Sequence, residues 1–187
     1  MKRDRVFIVI ALTIVACTVL LFYLGKQSKT PGRNSRPAGV QSTVSPAAGA
    51  GTTLTAYASA DTVSVGEEFL IRIDIDSGGN LVTGVQLELT YDPAVIAVET
   101  VANAEFFPNP IEYAKKNDKG KGKIIFATGS LDGRKGSGIV ARLKAKALRK
   151  TKGAAEILTI ESTSLVTELG NTKSVLRSVK GASIVIR

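Results

Sequence analysis

The stretch GVQLELTYDPAVIAV spans Gly84 to Val98, and its reading decides the fold. Val85, Leu87, Leu89 and Tyr91 alternate with Gln86, Glu88 and Thr90. Successive side chains of a strand point to opposite faces, so this period of two makes a half-buried strand. Asp92-Pro93 then turns the chain, because Asp can bond its own backbone and Pro fixes φ. Val95 starts a second strand. One row of the stretch builds a core, and the other row is polar and faces outward.

The same period runs outward in both directions. Leu54–Ser59 reads as a first strand. Glu68–Asp76 follows, with Phe69, Ile71, Ile73 and Ile75 on one face and Leu70, Arg72, Asp74 and Asp76 on the other. Thr83–Tyr91 and Val95–Asn103 come from the quoted stretch. Ile111–Asn117 and Lys121–Thr128 form a hairpin through Asp118-Lys119-Gly120. Gly138–Leu148, Ala155–Val166 and Val179–Ile186 complete about nine strands, the eighth being one long strand or a pair of short ones. Short alternating strands, glycine-rich connectors and no convincing soluble helix predict an all-β antiparallel sandwich.

Residues 54–187 are therefore the domain, and two segments precede it. Val6–Leu24 is 19 residues without a charge, between basic clusters. As a helix it would be about 28 Å long, close to a bilayer's hydrocarbon thickness. Leu-Phe-Tyr-Leu-Gly ends the run and makes a poor cleavage site. Residues 1–24 are read as an uncleaved single-pass signal anchor, with the membrane crossed by residues 6–24. Two alternatives stay open: a cleaved signal peptide, and lipidation at Cys17, since Ile14-Val15-Ala16-Cys17 looks like a bacterial lipobox. All three place the domain on the extracellular face. Residues 25–53, rich in Gly, Ser, Thr, Pro and Ala, cannot offset their ordering entropy and read as a disordered linker. Such a tether spans about 30 Å root-mean-square.

Composition removes whole classes of chemistry. The 187 residues contain no His and one Cys, so no Ser-His-Asp triad and no His/Cys zinc site can form. Asp74 and Asp76 share one strand face and cannot flank a cleft as glycosidase carboxylates must. Asp76-Ser77-Gly78-Gly79-Asn80 lacks the dense acidic spacing of a calcium loop and reads as a turn. Gly129–Ser137 has the wrong glycine spacing for a phosphate loop and reads as a strand connector. The formal charge of +9 belongs mostly to the tail. Residues 1–53 hold seven basic residues against Asp4, whereas residues 54–187 hold eighteen against fifteen acidic ones. Lys119, Lys121 and Lys123, and again Arg142, Lys144 and Lys146, alternate along strands with no aromatic interleaving to stack bases. Nucleic acid is thus not an expected partner, and no metal or cofactor is expected on this chain.

In order, the chain carries DTVSVGEEFLIRIDI (Asp61–Ile75), GVQLELTYDPAVI (Gly84–Ile96), GKIIFA (Gly122–Ala127), GSGIVARLKAKA (Gly136–Ala147) and KGASIVI (Lys180–Ile186). This series resembles the cohesin domain over Leu54–Arg187. The resemblance implies a nine-stranded jelly-roll sandwich without catalytic activity. It implies that the module docks a dockerin-bearing protein, typically a polysaccharide-degrading enzyme, whose dockerin carries the calcium. Family dockerins lie on one sheet face, across the third, fifth, sixth and eighth strands. Carried over, this selects Gln86, Glu88 and Thr90 on the third strand, Tyr113 and Lys115 on the fifth, and Ile125, Ala127 and Thr128 on the sixth. The eighth-strand contacts, near Ser162–Thr167, are not assigned. A carbohydrate-binding or adhesive surface domain, with polysaccharide as its partner, is the alternative.

Overall fold

The computed structural model describes residues 51–187. The anchor expected at 6–24, nearly all of the 25–53 linker and Cys17 lie outside the described residues. Twelve strands make up the domain: β1 (Thr52–Ala58), β2 (Thr62–Val63), β3 (Glu68–Asp76), β4 (Val82–Thr90), β5 (Ile96–Asn103), β6 (Ile111–Asp118), β7 (Lys123–Arg134), β8 (Ser137–Ala147), β9 (Ala155–Ile160), β10 (Leu165–Glu168), β11 (Leu176–Lys180) and β12 (Ala182–Ile186). No helix is assigned among the described residues.

The strands form two sheets. The five-stranded sheet runs β11-β1-β3-β8-β5, and the other runs β2-β12-β9-β4-β7-β6 with β10 also on β4. β1–β11 and β2–β12 are parallel, and every other pairing is antiparallel. This is the sandwich that the alternation predicts. The count rises from nine to twelve for local reasons. A two-residue strand sits in the Asp61–Gly66 connector, the eighth strand is a pair broken at Glu161–Ser164, and the last breaks at Gly181. β1 begins at Thr52, two residues ahead of the expected Leu54. Thr52 is buried, and its hydroxyl donates to Ser77 O at 2.9 Å.

The facing rows fill the space between the sheets. Leu54, Ile71, Ile73, Ile75 and Leu143 come from one sheet, and Leu87, Leu89, Ile124 and Phe126 from the other. Phe106 and Phe107, in the irregular segment after β5, plug one side of this core with their rings edge to face at 4.9 Å. Each such ring, fully buried, stabilises the fold by roughly 1.5–3 kcal/mol. Arg134 closes over Phe106 and donates to both Glu105 O and Phe106 O at 2.9 Å.

The glycine-rich segment after Thr128 differs from expectation. It is no connector: β7 continues to Arg134, and the turn to β8 is only Lys135-Gly136. Gly136 adopts φ 94° there, a left-handed conformation that suits glycine. At the Asp92-Pro93 turn, Asp92 Oδ1 accepts the Ala94 amide at 2.8 Å.

Candidate docking face

β6, β7, β4 and β10 lie side by side, and their outward residues form one surface. Register defines its rows. Lys116 pairs with Ile125, which pairs with Glu88. Ala114 pairs with Ala127, then Gln86, then Leu165. Ile111 pairs with Gly129, then Gly84, then Thr167. Ile125 is 40% exposed and Leu165 44%. They are apolar side chains left in water among polar neighbours.

The polar row is held rather than loose. Gln86 Nε2 donates to Glu88 Oε1 at 3.2 Å, and Thr163 Oγ1 donates to Glu88 Oε2 at 2.8 Å. Thr90 Oγ1 donates to Glu161 Oε1 at 2.6 Å. The Glu88 amide donates to Ser164 Oγ at 3.0 Å, and its carbonyl accepts the Glu161 amide at 2.8 Å. Residues 161–164 thus form a bridge between β9 and β10, both of which pair with β4. Glu88 and Lys116 make no ion pair among the described residues.

Two glycines flatten the centre. A Cβ on Gly129 would strike the Thr83 carbonyl and come within 2.9 Å of Tyr113 Cε2. A Cβ on Gly84 would come within 2.7 Å of Thr167 Oγ1. Because both lack side chains, Tyr113 leans over Gly129 while staying 59% exposed.

Six of the eight expected residues share this face: Gln86, Glu88, Thr90, Ile125, Ala127 and Tyr113. Two placements are corrected. Thr128 is 1% exposed and points inward, in step with Ile124 and Phe126; its hydroxyl has no hydrogen-bond partner. Lys115 stands opposite Phe126, on the inward parity, and pairs with Glu112 at 3.0 Å. The cause is a β-bulge between Glu112 and Ala114. The extra residue resets the alternation, which keeps Tyr113 outward and brings Lys116 out in place of Lys115.

The structure also supplies what the sequence left open. The eighth-strand contribution is β10, with Leu165 and Thr167 outward beside Gln86 and Gly84. Their alternation around buried Val166 was the available signal. Leu169 and Leu131 stand exposed beyond the glycine floor. Ala114, Lys116, Gly84 and Gly129 complete the surface.

The opposite outer face accounts for the second basic alternation. Arg142 forms a fork with Glu105, with Nη2 to Oε1 at 2.9 Å. Lys144 bridges Glu68 at 2.7 Å and Glu99 at 3.4 Å. These contacts hold the Glu105 and Glu68 carboxyls below the usual glutamate value, chiefly through hydrogen bonds from Arg142 and Lys144. Asp76 Oδ1 is committed to the Gly78 amide at 3.0 Å. No group of three metal-ligating side chains occurs among the described residues.

Several solved structures share this architecture. A type II cohesin from Bacteroides cellulosolvens superposes with TM-score 0.60 at 16% identity, over 72% of this chain and 99% of that one. A non-cellulosomal cohesin from the archaeon Archaeoglobus fulgidus gives 0.59 at 16% identity, over 74% and 92%. The cohesin of a type I cohesin–dockerin complex from Clostridium thermocellum gives 0.57 at 16% identity, over 73% and 93%. No curated protein matches the sequence. The Cohesin domain family matches residues 55–186, from β1 to the end of β12. The chain belongs to the cohesin family, whose modules are non-catalytic interaction domains.

Proposed function

We propose that the β6-β7-β4-β10 face docks a dockerin-bearing protein, and that residues 6–24 hold the module at the outer surface of a membrane. The observation that carries the docking reading is the apolar set of exposed Ile125 and Leu165 with half-buried Ala127, laid flat beside a glycine floor. A hydrogen-bonded polar row lies alongside. An apolar centre with a polar rim is what a protein interface needs. The solved complex with a dockerin concerns a relative of the same fold, which supports a dockerin as the partner here. Calcium then belongs to that partner, where it folds the dockerin. The partner's cargo, a polysaccharide-degrading enzyme, is part of the same proposal.

The test uses the full chain in mild detergent against calcium-loaded type I and type II dockerin modules. Saturable capture of at least one, abolished by a chelator and by Ile125→Asp or Leu165→Asp, is the expected result. Capture of none, or capture indifferent to both substitutions, overturns the reading. The location is tested on intact cells: added protease should digest the domain, and full protection would place it inside.

A further inference from the structure

The outer face of the five-stranded sheet carries a groove that docking does not use. It is about 510 Å³ in volume and is lined by Thr53, Thr55, Tyr57, Arg72, Asp74 and Ser137, among others. A second hollow of about 220 Å³ adjoins it and shares Tyr57, Arg72 and Ile139. The larger volume falls within the roughly 300–1,000 Å³ of small-ligand sites.

The lining is organised. Tyr57 and Arg72 are cross-strand partners, and the guanidinium lies 5.2 Å from the ring centroid. Arg72 Nε pairs with Asp74 Oδ1 at 3.2 Å, and that oxygen is buried without a hydrogen bond. The ring is thus oriented by a clamped cation while remaining 44% exposed. The Asp74 side chain stays about a third exposed, so its other oxygen is free to accept. Among the described residues the terminal nitrogens of Arg72 make no hydrogen bond or ion pair. Thr53, Thr55 and Ser137 line the same groove.

We propose that this groove binds a neutral oligosaccharide. A pyranose has one apolar C–H face, suited to an aromatic ring, and an equatorial belt of hydroxyls. The Arg72–Asp74 pair and the neighbouring hydroxyls offer donors and acceptors for that belt at once. Charge argues against an anionic ligand, because Asp74 and Asp76 both flank the groove, Arg72 in its lining is already paired with Asp74, and Arg142 of the adjoining hollow is paired with Glu105. Pairing argues against an extended peptide. β3 and β8 are bonded on both sides, so the floor presents no open edge.

The full chain in mild detergent is titrated calorimetrically with cellohexaose, xylohexaose, mannohexaose and hexagalacturonate. At least one neutral sugar should bind saturably. Tyr57→Ala and Arg72→Ala should each weaken it by about tenfold or more, whereas Ile125→Asp leaves it unchanged. Unchanged melting temperatures of both variants separate lost contacts from lost fold. No binding of any neutral sugar, binding that survives Tyr57→Ala, or tighter binding of hexagalacturonate overturns the proposal. Dockerin capture by Tyr57→Ala is expected to stay intact, so this groove and the docking face can fail independently.

Discussion

The two outer faces of this sandwich are built on the same alternation yet left in different chemical states. On the five-stranded side, charges are paired: Arg142 with Glu105 of the segment after β5, Lys144 with Glu68 and Glu99 of the neighbouring strands, and Arg72 with Asp74 along β3. On the β6-β7-β4-β10 side the outward positions are largely small, apolar or neutral, and Glu88 is held by amide and hydroxyl donors instead of a cation. Exposed ion pairs add little stability, typically 0–1 kcal/mol. What they do is satisfy a surface and keep it wet. A face without them, carrying Ile125 and Leu165 in water, loses little by being covered. The contrast separates a finished surface from one that gains by association.

The largest effect comes from crossing the sheet at one position. Phe126→Ala removes a fully buried ring and should cost about 3–5 kcal/mol, read as a lower urea midpoint. Ile125→Asp, the adjacent residue, should change the unfolding free energy by no more than about 0.5 kcal/mol, yet weaken partner capture by on the order of thirtyfold or more. If Ile125→Asp unfolds the domain, the face is structural and the contrast collapses.

The glycine floor gives an intermediate test. Gly129→Ala places a methyl against the Thr83 carbonyl and the Tyr113 ring. Backbone atoms cannot step aside as a side-chain end can, so a loss of about 1–3 kcal/mol is expected. Tyr113 should also lift from the sheet, which would appear as changed tyrosine fluorescence. Unaltered fluorescence and stability would show that the floor is not required flat.

The smallest effect belongs to the paired face. Glu68 and Glu105 titrate below the ordinary glutamate value of 4.5 in the folded chain. A carboxyl depressed on folding contributes stability that is fully present above its unfolded pKa. That contribution is lost as pH falls through the folded value. Melting temperature should therefore hold steady near neutrality and drop a little below about pH 4.5. The double variant Glu68→Gln with Glu105→Gln should flatten part of that drop. Both groups are exposed, so the change is small and should shrink further in high salt. An identical acid profile in the variant would remove the pairs from the account.

The core was readable because burial follows parity. Val85, Leu87 and Leu89 repeat every second residue, and all three are buried. Parity fails wherever a strand carries an extra residue. The bulge at Glu112–Ala114 has no distinct signature in IEYAKKND, so Lys115 and Lys116 exchange sides unannounced. Thr128 misled for another reason: a polar residue at an inward position looks outward from composition alone. Leu165 and Thr167 were legible as an alternation, but four residues are too few to set a register. Only the hydrogen bonds to β4 do that. Tyr57 and Arg72 are far apart in sequence and become neighbours through cross-strand pairing.

β1 is bonded along both of its edges. Its first residue, Thr52, is pinned by the Val175 carbonyl at 3.0 Å and by Ser77 O. Over Thr52–Thr55 the strand runs parallel to β11, and over Thr53–Ala58 antiparallel to β3. A pull on the chain ahead of Thr52, directed along the strand, meets two ladders in shear. Their bonds must yield together and cannot open one after another as at a peeled edge. Forced unfolding is governed by that kinetic barrier rather than by equilibrium stability. Under the proposed anchoring and docking, β1 is therefore placed to bear tension while the far sheet engages the partner.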